Sequence, residues 1–424
     1  MGKIYTALGL MSGTSMDGVD ASIINSDGNR KYTVKLDKYF EYEYELRQKL
    51  INIRAKIFNA DHLKAYSNEI KDLERKITLF HVNVVNEIID NSKIEVDFLG
   101  FHGHTIFHDS KKKITKQLGD AKLLSQLTKK IVVYDFRQND LKNGGQGAPL
   151  APIFHNAMAN KFLKKELNDH YSVNILNIGG ISNITNTVKW EELGLASKYI
   201  RACDIAPGNC LIDEWVRKKS KNKFDNDGAL ANIGKTDDLI LNQALENFNV
   251  GPPYEESLDV NDFDISFVKG LSLENGASTL TDFTAAQIAK ALVYSGGPSG
   301  SSIWLVCGGG RKNKYLMKSI TNQGAEYLKI KDFKHQKTDK NTSYKEWLDD
   351  SILHSWDHSY NAAIENFKKV VLLPVEKYGI NGDFVESQAF AYLAIRSFLK
   401  LPISFPNTTG CKEPCTGGIL VKNF

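Results

Sequence analysis

The sequence predicts an α/β protein made of two similar lobes. Short apolar segments typical of buried strands alternate along the chain with segments whose apolar residues recur at helical spacing. A strand–turn–strand unit with a polar, glycine-rich turn opens the chain and occurs again further along, which indicates a duplicated domain. With 424 residues, 42% of them hydrophobic and 25% charged, the chain is long enough for two globular domains.

The first of these units is a hairpin. Lys3–Leu10 and Val19–Asn25 have the pattern of buried strands, so the residues between them form a tight tip. We expect Gly13 and Gly18 to adopt positive φ values and to let the backbone approach a ligand closely. Backbone N–H groups at such a tip suit phosphate oxygens, although the composition is also that of an ordinary turn.

The side chains at this tip are suited to a phosphate as well. Thr14 and Ser15 add hydroxyl donors for phosphate oxygens, with or without a metal between them. Asp17 would repel a bare phosphate. Its expected role is therefore either to hold Mg²⁺ or to brace the turn by accepting N–H groups.

The next part of the chain continues the same α/β alternation. Lys31–Glu43 alternates like a third strand, and the apolar spacing between residues 44 and 90 predicts helix. Val96–Gly100 and Ile131–Tyr134 have the composition of short buried strands. Gly144–Pro152 is a glycine-rich bend that opens a helix.

Polar residues follow two of these strands, and ligands of α/β sheets collect at the carboxyl ends of strands. We expect His102 and Thr105 to contact substrate hydroxyl groups. A metal bound by His102, His104 and His108 is the weaker interpretation, because no acid is fixed beside them. Arg137 either pairs with a structural carboxylate or clamps an anionic group in forked geometry.

The second strand–turn–strand unit comprises the strand Val173–Leu176, the turn over 177–183 and a returning strand. Lys198–Ala202 is predicted to be the next strand, with Asp204 at its end and a helix starting near Cys210. An acid in that place is either a cap or turn acid, or a base. Neighbouring helix N–H groups would keep such a base ionised at neutral pH.

Two helices and one strand stand out in the last part of the chain. Thr281–Ser295 is predicted to be a helix capped by its first residue. Ile303–Val306 leads as a strand into Gly308–Gly310, where bare backbone would let a flat adenine or ribose lie close. Phe384–Leu399 is predicted to be a helix that carries Glu386 in its first turn.

Specific motifs recur in order along nearly the whole chain. They are GLMSGTSMDGVDAS from Gly9, GFHGHTIFH from Gly100, QLGD from Gln117, DFRQND from Asp135, GGQGAPLAP from Gly144, NIGGISNIT from Asn177, DIAPGNCLID from Asp204, CGGGRKN from Cys307 and GDFVESQAFAYLA from Gly382. With them the chain closely resembles the anhydro-N-acetylmuramic acid kinase family. Generic loop composition does not produce a dozen consecutive specific residues.

The resemblance implies a fold and a domain organisation. The fold is a two-lobed, duplicated RNase H-like (actin/sugar-kinase-type) α/β fold with an ATP cleft between the lobes. Residues 1–145, completed by about 385–424, would form the N-terminal lobe, and residues 146–384 the C-terminal lobe. The charged and aromatic stretch at about 330–371 would be a surface insertion.

The resemblance also implies a reaction. Members of the family use ATP and Mg²⁺ to open a 1,6-anhydro ring with water and to phosphorylate O6, giving N-acetylmuramic acid 6-phosphate in peptidoglycan recycling. Asp204 would be the catalytic base, and Arg137 would contact the lactyl carboxylate of the sugar. Glu386, Thr105 and His102 are further expected substrate contacts. The expected ATP and phosphate contacts are Gly13, Thr14, Ser15, Met16, Asp17, Gly18, Val19, Asp20, Gly179, Gly180, Ser182, Asn183, Gly308, Gly309 and Gly310, with Asp17 as the residue facing Mg²⁺.

The chain departs from the family pattern at a few positions. Ile205 and Ala206 replace Thr and Gly beside Asp204, Glu256 and Val260 stand where Lys and Arg are common, and His104 stands where Gln is usual. Three alternatives therefore stay open. They are a kinase of a related anhydrosugar such as levoglucosan, a weakly active paralogue, and an ATP-driven chaperone or filament protein. Arg137 argues against levoglucosan, which lacks a carboxylate.

Composition gives no case for a nucleic-acid or membrane partner. A net charge of +4, spread along the sequence, gives no case for nucleic acid, and no uninterrupted apolar run reaches membrane-spanning length. Five cysteines without a disulfide spacing are typical of the cytoplasm. Cys411 and Cys415 resemble half of a zinc site, but no second pair stands nearby, so we expect no metal there. The sequence is compatible with a homodimer and does not determine the oligomeric state.

Overall fold

The computed structural model describes residues 2–13, 16–166, 171–187, 200–248, 258, 260–295, 301–323 and 371–424. Two mixed β-sheets form its framework, one of seven strands and one of five. Helices cover the faces of both sheets. No helix among these residues is long and apolar enough to cross a membrane.

The first sheet begins with a meander and continues with parallel strands. Its strands are β1 (Tyr5–Ser12), β2 (Gly18–Ser26), β3 (Tyr32–Glu41), β4 (Phe98–Asp109), β5 (Ile114–Leu118), β6 (Ile131–Tyr134) and β12 (Ile419–Val421). β1 pairs antiparallel with β2, and β2 with β3, while β1 and β4 are parallel, as are β4 and β6. The strand order is β12-β6-β4-β1-β2-β3, with β5 beside β4.

The second sheet repeats this arrangement. Its strands are β7 (Tyr171–Ile178), β8 (Ile181–Asn186), β9 (Arg201–Pro207), β10 (Ser301–Cys307) and β11 (Val371–Pro374). β7 pairs antiparallel with β8, and β8 with β9, while β7 and β10 are parallel, as are β10 and β11. The order β11-β10-β7-β8-β9 therefore matches β6-β4-β1-β2-β3 in both strand position and strand direction. The predicted duplication is thus a property of the fold.

The helices complete the layers around the sheets. They are α1 (Tyr44–Lys56), α2 (Ala60–Ala65), α3 (Ser67–Ser92), α4 (Ala121–Thr128), α5 (Gln138–Lys142), α6 (Pro152–Glu166), α7 (Cys210–Lys219), α8 (Ala229–Ile233), α9 (Asp238–Asn247), α10 (Leu273–Ser295), α11 (Val385–Phe398) and α12 (Pro406–Thr409). One hydrophobic core lies between the first sheet and α1–α4. A second core joins α6 and α11 to strands of both sheets, and a third lies between the second sheet and α10.

Helix α11 lies directly on the first sheet because two strand glycines leave room for it. A Cβ on Gly9 of β1 would come within 2.0 Å of the Ser387 carbonyl oxygen. A Cβ on Gly100 of β4 would come within 2.3 Å of the Phe390 carbonyl oxygen. This close contact positions Glu386, in the first turn of α11, beside the strands that carry the expected site.

The structure corrects several element bounds. Strand β4 extends to Asp109 instead of ending near Gly100, so His102 and Thr105 lie within a strand. Helix α10 begins at Leu273, and Thr281 is an interior residue that bonds to the Ala277 carbonyl rather than a cap. β5 and α4 were not predicted. The insertion expected at about 330–371 lies almost wholly outside the described residues, as do Lys198 and Glu256.

Candidate active site

The first hairpin tip differs in detail from the sequence-based expectation. Gly18 does not adopt a positive φ; the left-handed residue is Met16, with φ of 54° and an N–H···O bond to the Gly13 carbonyl. Gly18 is required for another reason, since a Cβ there would come within 2.2 Å of the Phe40 carbonyl oxygen on β3. Thr14 and Ser15 lie outside the described residues.

Ser12, the last residue of β1 before this tip, is held by two side-chain contacts. The Ser12 hydroxyl lies 3.0 Å from Nδ1 of His104 and accepts a 2.9 Å bond from the Tyr42 hydroxyl. All three side chains are buried. His104, one of the departures from the family pattern, thus anchors the end of β1 from inside the fold.

The second tip is a two-residue turn, Gly179–Gly180, between β7 and β8. Its carbonyls accept N–H groups from the segment that leads into α7, with 2.8 Å bonds from Gly208 to Gly180 and from Asn209 to Gly179. The Ser182 hydroxyl is fully buried and donates to the Pro207 carbonyl, so the side chain of Ser182 is engaged within the fold. The tip and the start of α7 therefore form one packed unit.

The glycine-rich loop after β10 packs against this unit. Gly308 has φ of 79°, and a Cβ there would come within 2.5 Å of Oδ1 of Asn177. A Cβ on Gly310 would come within 2.2 Å of the Ile178 side chain and 3.2 Å of Oδ1 of Asn209. Glycine is thus needed for the two loops to meet at the carboxyl ends of β7 and β10.

A buried arginine ties this loop to the segment before α11. Arg311 donates from Nη1 to the Gly308 carbonyl and to Oδ1 of Asp383, both at 2.8 Å, and from Nε to Glu376 at 2.8 Å. Its side chain is only 5% exposed. Because Asp383 lies three residues before Glu386, the expected nucleotide loop and the expected sugar contact are linked through one guanidinium.

His102 and Arg137 form a contact that sequence spacing could not show. The His102 Nδ1–H donates to the Gly103 carbonyl at 2.9 Å, which leaves Nε2 to accept from Nε of Arg137 at 3.1 Å and from Nη2 at 2.9 Å. Arg137 also donates from Nη1 to the Gly147 carbonyl at 2.8 Å. Burial, and then the Arg137 charge, lower the pKa of His102 well below its usual range, so the ring is a neutral acceptor.

Arg137 lies among carboxylates. Burial lowers the pKa of Arg137 to about 10, and the charges of Glu386, Asp140 and Asp204 oppose this effect. The guanidinium therefore stays protonated at neutral pH. Arg137 comes from the loop after β6, Glu386 from α11 and Asp204 from β9, so the site draws on both sheets.

Asp204 does not lie at a strand end, as expected, but in the middle of β9, opposite Asn183 of β8. Its carboxylate accepts a 2.9 Å bond from the Leu258 N–H instead of from the N-terminus of α7. Burial raises the pKa of Asp204 to about 6, and the Leu258 bond and the Arg137 charge limit the rise. The carboxylate is therefore mostly ionised at neutral pH but close enough to titration to take a proton.

Negative charge accumulates near the first hairpin. Burial, and then the charges of Glu386, Asp17 and Asp383, raise the pKa of Asp20 to about 7. Glu386 is open to solvent, yet protein surrounds its carboxylate on most sides, and this desolvation raises its pKa while Arg137 lowers it. Such an excess of carboxylates is the environment that a divalent cation neutralises.

The structure brings several of the expected site residues into two groups. Asp204, Arg137, Glu386 and His102 form one, and Asp20 lies in the electrostatic range of its Glu386. The Gly179–Gly180 turn and the Gly308–Gly310 loop form the other. Thr105 is half-buried; its hydroxyl accepts from Gln117 and its carbonyl from Arg54, and neither partner belongs to these groups. Sequence reasoning missed five contributors that act through backbone or distant contacts: Gly147, Asn209, Leu258, Glu376 and Asp383.

A strand order repeated in two sheets, glycine-rich turns, a buried arginine and an ionisable acid are the features expected of a phosphotransferase of the actin/sugar-kinase type. Comparisons with known proteins give the particular family. The sequence model of anhydro-N-acetylmuramic acid kinase matches residues 5–344 and 361–423. The chain belongs to this family.

Individual relatives agree with the family model. The anhydro-N-acetylmuramic acid kinase of Pelagibacter ubique is 48% identical over 429 aligned residues, which cover 100% of both chains. That of Rhodospirillum rubrum is 35% identical over 97% of this chain and 93% of the relative. Among solved structures, a hexokinase from Schistosoma mansoni complexed with glucose is 9% identical, with a TM-score of 0.37 over 92% of this chain and 85% of that one. Likeness at that level does not bear on function.

Proposed function

We propose that this kinase uses ATP to open the ring of 1,6-anhydro-N-acetylmuramic acid with water and to phosphorylate O6. The observation that carries the proposal is the position of Asp204, an acid close to titration, in the electrostatic range of Arg137. The Asp204 carboxylate is suited to act as a base, and the Arg137 guanidinium is suited to bind an anionic substituent of the sugar. The product would be N-acetylmuramic acid 6-phosphate, an intermediate of cell-wall sugar recycling.

The chemical step begins with water. Asp204 takes a proton from the water whose oxygen attacks the anomeric carbon C1, and the C1–O6 bond breaks. The electron pair of that bond remains on O6, which attacks the γ-phosphorus of ATP while the bond to the leaving ADP oxygen breaks. The proton on Asp204 is released to solvent afterwards. Positioning and charge neutralisation supply most of the rate in phosphoryl transfer.

The sugar would be held by the charged group around Arg137. The Arg137 guanidinium would contact the lactyl carboxylate. It is held in place for this contact by hydrogen bonds from Nε and Nη2 to the neutral His102 and from Nη1 to the Gly147 carbonyl. Glu386 would accept a hydroxyl of the sugar from the first turn of α11. We retain Thr105 as a weaker proposed contact.

The triphosphate would lie between the two glycine-rich tips and the Gly308–Gly310 loop. The residues fit Mg²⁺ as well. Burial raises the Asp20 pKa most, the charges of Glu386 and Asp17 raise it further, and a divalent cation would relieve this repulsion. When bound, Mg²⁺ neutralises phosphate charge. Asp17 and Asp20 would hold it, directly or through water. We further propose a cytoplasmic location, with the sugar and ATP as the small-molecule partners.

An isotope experiment tests the proposal. A reaction run in ¹⁸O-water, quenched before mutarotation exchanges the anomeric oxygen, should give a phosphosugar labelled at the anomeric oxygen and unlabelled at the bridging phosphate oxygen. Fragmentation mass spectrometry distinguishes the two positions. Label in free phosphate would mean simple ATP hydrolysis. An unlabelled phosphosugar would mean that another hydroxyl was phosphorylated and the anhydro ring stayed closed, and either result would overturn the proposal.

A further inference from the structure

Two cysteines of the C-terminal loop and an aspartate from the middle of the chain meet inside the protein. One carboxylate oxygen of Asp140 and the sulfurs of Cys411 and Cys415 all lie within 4.8 Å of one another. The three residues are buried, at 1%, 2% and 6% exposure. The cluster takes no part in the reaction described above, although Asp140 lies within electrostatic range of Arg137.

The cluster is held rigidly from two sides. Asp140 accepts from the Thr409 hydroxyl and from the Gly147 N–H, both at 2.6 Å. The two chain segments are also joined by backbone bonds, from Gln146 to the Thr409 carbonyl at 2.7 Å and from Lys412 to the Asn143 carbonyl at 3.1 Å. These bonds hold together the two segments that carry the three donor atoms.

The donor set has the chemistry of a site for a soft divalent cation. Two thiolates and a carboxylate are ligands that Zn²⁺ accepts, and Cys411-x-x-x-Cys415 has a spacing found in zinc sites. The hydrogen bonds to Asp140 from Thr409 and Gly147 are of the kind that orient a ligating carboxylate. The Cys415 thiol donates to the Glu413 carbonyl at 3.0 Å.

We propose that Asp140, Cys411 and Cys415 form a binding site for a Zn²⁺-class divalent cation, with water as the fourth ligand. Binding replaces the two thiol protons, which leave to solvent, by two metal–sulfur bonds. The sequence alone favoured no metal here because it showed only half of a site; the fold supplies the third ligand. The site also reaches the sugar-binding group, since Gly147 donates to Asp140 and accepts from Arg137.

Metal titrations of the full chain test the site. The chain, purified under reducing conditions and freed of metal with a chelator, is given Zn²⁺ or Co²⁺ alone. We expect one equivalent to remain after gel filtration and the Co²⁺ form to show the near-ultraviolet sulfur-to-cobalt charge-transfer absorption of thiolate ligation. Zn²⁺ should also raise Tm, because a ligand that binds only the folded state stabilises it.

Variants locate the binding. Cys411→Ser and Cys415→Ser should each lose the charge-transfer absorption and the rise in Tm, whereas the matched control Cys203→Ser, a thiol on β9, should keep both. The cysteine variants carry the test because Asp140 also holds two loops; their circular dichroism and metal-free Tm report whether they fold. Retention of the absorption in both variants, absence of stoichiometric binding by the unmodified chain, or a Cys411–Cys415 disulfide that forms under the reducing conditions would each overturn the proposal.

Discussion

At Asp204, burial and neighbouring charges act on the carboxyl group in opposite directions, and the balance leaves an ionised base that can accept a proton. Asp204→Asn should lower kcat by roughly 10²–10⁴-fold, the usual contribution of a general base, with binding of ATP and sugar retained. A coupled ADP-release assay and calorimetry measure the two effects. Asp213→Asn is the matched control, because burial also raises the pKa of Asp213, to about 7, without any interaction with Arg137. Near-normal kcat for Asp204→Asn would reduce Asp204 to a structural acid.

The same residue determines a pH dependence. Because a base acts only when ionised and the pKa of Asp204 is raised to about 6, kcat/KM should fall as pH decreases through about 6. The Arg137 charge lowers this pKa, so Arg137→Gln should move the acid limb to higher pH. Profiles of kcat/KM against pH, recorded between about pH 5 and 8 for the unmodified protein and for Arg137→Gln, measure the shift. Coincident acid limbs would show that the two groups do not interact in the working enzyme.

Arg137 should also determine which sugar is accepted. Its fork is fixed by His102 and Gly147, and a charge-assisted hydrogen bond to a carboxylate contributes about 1.5–3 kcal/mol. Arg137→Lys, which keeps the charge but loses the fork, should therefore raise KM for the anhydromuramic sugar roughly 10- to 100-fold. KM for ATP should not change. Turnover of levoglucosan, which has no carboxylate, serves as the internal comparison. An equal rise in KM with both sugars would show that Arg137 does not contact the carboxylate.

Sequence reasoning singled out the expected site residues but not the partners that the fold gives them. Asp204, Arg137 and Glu386 could be singled out because polar residues beside buried strands, or in a motif, are visible in one dimension. The Arg137–His102 contact and the Leu258 N–H that Asp204 uses depend on how distant segments meet, which no local pattern encodes. Gly18 shows the same limit, because this position needs glycine to avoid a clash with the neighbouring strand and not to adopt a positive φ.

At the scale of elements, α11 depends on strand glycines. A Cβ at residue 9 would meet the backbone of α11 at 2.0 Å and 2.5 Å, and rigid backbone cannot move as a flexible side chain does. Gly9→Ala should therefore lower the free energy of unfolding by about 1–3 kcal/mol or more. Gly270→Ala is the matched control, because nothing lies within 4 Å of a Cβ there and its φ is not positive. Denaturant midpoints by circular dichroism measure both, and equal midpoints would mean that α11 packs less closely.

Element types were easier to predict than element ends. β1, β2, β3 and β6 follow from runs of apolar or alternating residues, because such runs fit a pleated, half-buried surface. β4 continues past Gly100 because its polar histidines find partners inside the fold, His102 with Arg137 and His104 with Ser12. Burial of polar residues that form hydrogen bonds inside the fold hides a strand from a hydrophobicity pattern.

For the whole molecule, the duplication could be predicted from two similar turns, whereas the way the halves meet could not. The core that joins α6 and α11 to both sheets draws residues from widely separated parts of the chain, from Ala7 to Phe405. It brings Arg137 and Asp204 into electrostatic range, although they belong to different sheets. We propose that this core is the hinge between the lobes, with residues 1–145 and 385–424 on one side and 146–384 on the other.

The charges in the cleft predict how the lobes respond to ligands. Asp20 on β2, Glu386 and Asp383 place like charges around the expected phosphate site. Burial contributes most to the raised pKa of Asp20, and repulsion by Glu386, Asp17 and Asp383 adds to it. We expect this repulsion to oppose closure. The exposed Lys223–Glu41 pair, at 3.8 Å, contributes little in return. Sugar and a non-hydrolysable ATP analogue should therefore compact the protein in small-angle scattering when Mg²⁺ is present, and much less when it is chelated. Calorimetry must confirm that the ligands bind in both conditions. Equal compaction with and without Mg²⁺ would show that carboxylate repulsion does not control closure, and no compaction despite binding would indicate a rigid cleft.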